Sequence, residues 1–338
     1  MNFEQASEGT NTNEPGSGTV LAATDLVLPK FKKNEDRSAI WMRSFLSLAL
    51  YLLIGYYIFP SYRILLLVTA IVLIHEMGHF LTMKWFRYTD MGLFFIPLLG
   101  AYVSGSKREV SQRESAIILL AGPLPGILIG TLFYLLWQQS PYEGGVAGIS
   151  YYTISILFIF LNLLNLLPVY PLDGGQLLNR VFLDEDNWLS KAFIVLSAAL
   201  LGVFAWKNGM PVLYVFPVLM LTRLAGDRRM QAVEKRVEAE GIHRDLDYDD
   251  LPDTDYWKLR NILAEEHPAF RDIGTAPPYT YHRQEEKVMT AIEGLLHRHL
   301  IQDVSIAGKI FILLLWAAAL AAPWLLQMDT GFFRRFGL

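Results

Sequence analysis

Cysteine is absent from the chain, which excludes disulfides, thiolate nucleophiles and every cysteine-ligated metal site. Any metal here must be held by His, Asp or Glu. Charge is scarce too: Asp, Glu, Lys and Arg make up 18% of the 338 residues, against about 25% in soluble domains. Nor is there a basic excess. A net charge of −4 and a pI near 6.0 leave no electrostatic footprint for nucleic acid, and none is expected as a partner. What the chain has in quantity is apolar surface, with 53% hydrophobic residues and a mean hydropathy of +0.30. That surface is gathered in nearly charge-free runs, and about 20 apolar residues suffice for a helix to cross the hydrocarbon layer. The partner that this composition implies is the lipid bilayer.

The runs lie near 40–60, 62–86, 115–138, 149–168, 190–206, 210–225 and 306–327. They predict an all-α polytopic protein with about six to seven transmembrane helices. The pair flanking Lys207, Asn208 and Gly209 reads as a helical hairpin. Lys and Arg cluster before the first run (Lys30, Lys32, Lys33, Arg37), after the second (Lys84, Arg87, Lys107, Arg108, Arg113) and after the sixth (Arg223, Arg228, Arg229, Lys235, Arg236), while the loops between are poor in both. By the positive-inside tendency, the N-terminus and residues 226–305 are cytoplasmic; Arg334 and Arg335 fall on the other side, in a tail too short to set topology. Residues 1–38 are polar, lack the basic and apolar regions of a secretory signal, and read as a disordered cytoplasmic tail. Residues 39–225 form the membrane-embedded unit. Residues 226–305 are a charged cytoplasmic segment with helical spacing in 230–240, 257–266 and 285–300. Residues 306–338 supply the last helix and a short tail.

Inside the second run stands His75-Glu76-Met77-Gly78-His79. Residues four apart share a helix face, so both imidazoles can reach one metal ion, while Glu76 projects beside it. Ionisable groups in a spanning helix are costly and usually functional. Of the seven histidines, only these two fall in apolar runs. Catalytic zinc takes three protein ligands and keeps a fourth position open, so a carboxylate from elsewhere must complete the set. The candidate is Asp173 in Asn165-Leu166-Leu167-Pro168-Val169-Tyr170-Pro171-Leu172-Asp173-Gly174-Gly175. Its prolines break a helix, and its paired glycines are expected to let the backbone turn sharply.

The two motifs together resemble those of the site-2 protease family, the intramembrane zinc metalloproteases of the peptidase M50 kind. The resemblance covers about residues 62–180 and implies one catalytic Zn2+ held by His75, His79 and Asp173, with Glu76 as the base. It also implies that Asn165 polarises the substrate carbonyl or steadies the intermediate; Asn162, one turn earlier, competes for that polar role. Ala121-Gly122-Pro123-Leu124-Pro125-Gly126 is similar to the family's third-helix motif, except that Gly126 stands where many members have asparagine. The family places a small membrane-dipping β-hairpin where this chain has Met91 to Ser104. On that basis Leu98, Leu99, Gly100, Ala101, Tyr102 and Val103 are expected to offer an open strand edge to an unwound substrate.

The function implied is hydrolysis of peptide bonds in or near transmembrane segments of membrane proteins, as in regulated intramembrane proteolysis, in a multi-pass protein of the cell membrane. Two other readings fit the same residues: a catalytically silent scaffold of the same fold, and a metal- or proton-coupled transporter.

Overall fold

The computed structural model describes residues 28–32, 37–59, 61–97, 100–107, 109–141, 144–183, 187–296 and 300–328. Most of the expected tail (1–27), two residues of the expected substrate edge (Leu98 and Leu99) and the C-terminal Arg334 and Arg335 lie outside these. The described chain is mostly helical.

Among the described residues, four helical segments are long and apolar enough to cross a membrane: Ile40–Ile58, Tyr62–Trp85, Gln112–Gln139 and Trp188–Lys207. The first lies in α1 (Arg37–Ile58), the second is α2 (Tyr62–Trp85) and the fourth is α7 (Trp188–Lys207). The third consists of α3 (Gln112–Ala121) and α4 (Pro123–Gln139), jointed at Gly122, because Pro123 has no N–H to continue the ladder but suits a first helical turn. Two shorter apolar helices, α5 (Tyr151–Asn165) and α11 (Ile306–Leu320), occupy the runs expected at 149–168 and 306–327. The run at 210–225 differs from expectation. After a 3₁₀ turn at Pro211–Tyr214, α8 (Val215–Ala239) continues without a break across the boundary expected at 225/226. From Arg228 on the residues are mostly good helix formers and none is proline, so the single Gly226 does not stop the helix.

A two-stranded antiparallel sheet, β1 (Thr89–Ile96) with β2 (Gly100–Ser106), follows α2. Phe94 stands opposite Tyr102 and Phe95 opposite Ala101. β1 lies against α1: Tyr51 and Phe95 pack with their ring centroids 5.7 Å apart, and the Phe95 N–H donates to Ser47 Oγ at 3.1 Å. Beyond the strands, Lys107 pairs with Glu114 of α3 at 2.6 Å. A second, minimal hairpin, β3 (Gly145–Val146) with β4 (Ile149–Ser150), leads into α5. After α5 a Pro-containing loop reaches α6 (Asp173–Leu177), which widens into a π turn at Leu178–Leu183. Leu120, Ile127, Leu166, Leu177, Val181 and Trp316 form one buried cluster, and the Trp316 Nε1–H donates to the Leu166 carbonyl at 2.8 Å. The α11 helix therefore buttresses the loop before Asp173.

The charged segment has its own core, built from Val233 and Val237 of α8, Tyr256, Leu259 and Leu263 of α9 (Asp253–Glu266), and Val288 and Ile292 of α10 (Glu285–Leu295). The last helix, α12 (Ala322–Leu325), follows α11. Residues 28–32 correct the reading of 1–38 as a disordered tail. They run extended across the charged segment, where Trp257 Nε1–H, Tyr281 Oη–H and Tyr248 Oη–H donate to the carbonyls of Leu28, Pro29 and Phe31. The Lys30 ammonium is buried, donating to the carbonyls of Asp249 and Leu251. Polar composition signals disorder only when no partner satisfies the backbone; here the partner lies more than 200 positions away.

Candidate metal centre

α2 presents His75, Glu76 and His79 on its buried side. The close approach that this requires depends on two glycines. A Cβ on Gly78 would lie 2.0 Å from the Ala121 carbonyl oxygen, and one on Gly122 would lie 2.3 Å from His79 Nε2. Only hydrogen at these positions lets α2 rest against the joint between α3 and α4.

Three atoms converge in this contact. His75 Nε2 and His79 Nε2 are 3.1 Å apart, and Asp173 Oδ2 lies 3.0 Å from the first and 3.4 Å from the second. All three residues are buried and form the one His/Asp/Glu cluster among the described residues that could hold a metal ion. Asp173 is the first residue of α6, with Leu172 at the cap and no side-chain capping bond. The paired glycines correct the expectation of a sharp turn. Gly174 and Gly175 are inside α6, where a Cβ would meet the Leu166 carbonyl oxygen at 2.0 Å and the Val169 carbonyl carbon at 2.3 Å. They allow α6 to press against the chain before it, which places Asp173 under α2.

The outer ring nitrogens settle what the inner ones present. His79 Nδ1 faces the Ile118 carbonyl at 2.8 Å, an acceptor only, so Nδ1 carries the proton. His75 Nδ1 faces Asn162 Oδ1 at 2.9 Å, while Asn162 Nδ2 donates to the Phe158 carbonyl at 2.7 Å. That second bond fixes the amide's orientation and makes His75 Nδ1 the donor as well. In the neutral rings, both Nε2 atoms then present lone pairs to each other and to a carboxylate oxygen that is buried without a hydrogen-bond donor. Three acceptors at this spacing repel one another unless a cation lies among them. Ligands bonded at about 2.0–2.1 Å around a tetrahedral centre stand about 3.3 Å apart, close to the separations found. The donor set and its spacing fit zinc.

A cavity of about 80 Å³ adjoins the cluster, lined by His75, Glu76, Asn162 and Asn165 together with Gly100 and Ala101 of β2. Asn165 Nδ2 donates one hydrogen to the Leu161 carbonyl at 3.3 Å, leaving its second N–H available. The β2 edge is aimed at this space. Because the Phe95 N–H points to Ser47, Phe95 and Ala101 form a non-hydrogen-bonded pair, and the amides of Ala101 and, two residues on, Val103 face away from β1. The Val103 N–H accordingly faces the Glu76 carboxylate. Gly100, Ala101, Tyr102 and Val103 are thus on a strand beside the cluster, with Tyr102 facing out and exposed.

The sequence located His75, Glu76, His79, Asp173 and Asn165, all of which meet at this cluster or cavity. It did not assign the hydrogen bond of Asn162 to His75 or the carbonyl of Ile118; an asparagine spaced three from another on an apolar helix was the one available signal. The departure at Gly126 also has a structural counterpart, since the Asn162 amide fills the space that a side chain there would take.

Residues 63–143 match peptidase family M50. The chain is 30% identical over 157 residues to stage IV sporulation protein FB of Bacillus subtilis, covering 46% of this chain and 52% of that protein. It is 27% identical over 138 residues to a zinc metalloprotease of Methanocaldococcus jannaschii, covering 40% and 39%. The chain therefore spans about half or less of the length of these relatives. The solved site-2 protease of Methanocaldococcus jannaschii superposes with a TM-score of 0.39 at 21% identity, over 53% of this chain and 84% of that one. Residues 63–143, the segment that matches the peptidase M50 family, contain the histidine pair and the Gly122–Pro123 joint.

Proposed function

We propose that this chain is an intramembrane zinc endopeptidase that hydrolyses peptide bonds in or near transmembrane segments of other membrane proteins. The observation that carries the reading is the facing of two imidazole lone pairs and one carboxylate oxygen within 3.0–3.4 Å, beside a cavity that also holds Glu76 and the β2 edge. His75, His79 and Asp173 would hold the ion. Zinc bound there supplies Lewis acidity, polarising a peptide carbonyl and making water easier to deprotonate.

The remaining steps belong to the chain's own residues. Glu76 takes the proton from the attacking water and returns it to the leaving amine. The free N–H of Asn165 donates to the oxygen on which negative charge develops. A substrate helix hides its peptide groups in internal hydrogen bonds, so it must unwind, and the outward amide of Ala101 binds the extended strand by addition to the edge. The domain layout proposed is a membrane unit over 39–225, a cytoplasmic segment over 226–305 and a final membrane helix, with the N-terminus cytoplasmic. The basic residues beside the apolar helices support that orientation.

Proteoliposomes holding the full chain and a transmembrane reporter test the reading. New reporter termini are expected, together with one bound zinc per chain and loss of cleavage on chelation that added zinc restores. Metal flux without reporter cleavage would instead establish a transporter. The edge has a narrower test: Ala101→Pro removes an outward donor while leaving the bonds to β1 in place. Cleavage should fall about tenfold, the equivalent of 1–1.5 kcal/mol for a lost hydrogen bond, with zinc content unchanged. Cleavage at the wild-type rate by a zinc-loaded Ala101→Pro protein would remove the strand edge from the mechanism.

A further inference from the structure

We infer that Asn162 is a positioning residue for the metal centre, and that Gly126 is the notch that admits it. The inference rests on the reading of His75, His79 and Asp173 as zinc ligands, and concerns how one ligand is held.

Asn162 is 1% exposed, in the last turn of the apolar helix α5. A buried amide costs stability unless both ends are satisfied, and here both are: Nδ2 donates to Phe158 one turn back on α5, and Oδ1 accepts from His75 Nδ1 on α2. The first bond dictates the second, because it turns the oxygen and not the nitrogen toward the imidazole. His75 is thereby held as the Nδ1–H tautomer with Nε2 directed at Asp173. Without that acceptor the ring can rotate or place its proton on the ligating nitrogen. Acceptors on the outer nitrogen of a metal-bound histidine typically contribute 10–100-fold in metal affinity.

Gly126 belongs to α4 and has no side chain to offer a polar contact. A Cβ built there would lie 2.1 Å from Asn162 Nδ2, 2.4 Å from Cγ and 2.7 Å from Oδ1, so the whole amide sits in the space the glycine leaves open. Two consequences follow. Alanine at 126 must push the amide off His75 although it touches no ligand. An amide carried by residue 126, if Asn162 is removed, begins where the present amide stands and can reach the same imidazole nitrogen.

The experiment measures zinc affinity of the purified full chain by competition with a chromogenic chelator, without reference to activity, and thermal unfolding alongside. Wild type taking up no zinc would overturn the ligand reading itself. With wild type binding one ion, Asn162→Leu and Gly126→Ala are each expected to weaken binding 10–100-fold. Asn162→Asp, which keeps an acceptor in place, should stay near wild type. The exchange variant Gly126→Asn/Asn162→Gly should recover most of the affinity that Asn162→Leu loses. Asn162→Leu binding as tightly as wild type would overturn the inference. So would equal losses in Asn162→Leu, Asn162→Asp and the exchange variant, which would mark Asn162 as packing alone.

Discussion

Glu76→Gln is expected to retain one zinc per chain and to slow reporter cleavage by roughly 10²–10⁴-fold, the usual contribution of a positioned general base. Glutamine has nearly the same shape, so the β2 edge should keep its place. What is lost is the ability to take up a proton. The converse substitution is Asp173→Ala, which leaves Glu76 untouched but removes the oxygen that stands 3.0 Å and 3.4 Å from the two imidazoles. Two histidines alone hold zinc weakly, so metal should be absent after dialysis and cleavage with it. The two variants therefore separate: metal without cutting in one, neither in the other. Metal analysis and reporter cleavage on the same preparations check both. Undiminished cutting by Glu76→Gln would assign the base elsewhere, and full zinc occupancy in Asp173→Ala would require another third ligand.

The metal cluster was legible because its chemistry lies in residue identity at fixed spacing. Histidines four apart on a helix must share a face, and a carboxylate in a Pro-broken apolar stretch has few reasons to be there. The hairpin edge was legible only through the family resemblance; its orientation depended on Ser47, in α1, accepting the Phe95 N–H, which no local pattern announces. The Gly126–Asn162 fit was hidden for a similar reason. A glycine in an apolar helix and an asparagine 36 positions on carry no shared signal until α4 and α5 are packed together. The strap at residues 28–32 was misread because its partners, Tyr248, Trp257 and Tyr281, are remote in sequence. Periodicity reports what a segment can do alone, and these features exist only between segments.

The second large effect is expected far from the metal, in the charged segment. Arg260 and Glu285 are 2% and 1% exposed and pair at 2.7 Å. Every bond around them is directed inward: Arg260 also donates to the carbonyls of Gly274 and Thr280, and Glu285 also accepts from Tyr256 Oη–H and the His282 N–H. Burial first, and the Glu285 carboxylate next, push the Tyr256 phenol well above the usual tyrosine range, so it remains a donor throughout the physiological pH range. Arg260→Met leaves the Glu285 carboxylate buried without its counter-charge, a loss of about 3–5 kcal/mol. That is comparable to the whole stability of a small unit, so α9 and α10 should open and the strap at Leu28 to Lys32 should come free with them. Limited proteolysis of the full chain is expected to cut within 240–296 far faster than in wild type, while zinc content, which depends on α2, α5 and α6, is unchanged. Replacing both partners, Arg260→Met with Glu285→Leu, removes the unpaired charge and should restore much of the protection, because an apolar pair of similar volume carries no desolvation penalty. Equal protease sensitivity in the single and double variants would show that Arg260 acts through its packing and its bonds to Gly274 and Thr280, and not through the buried charge it balances.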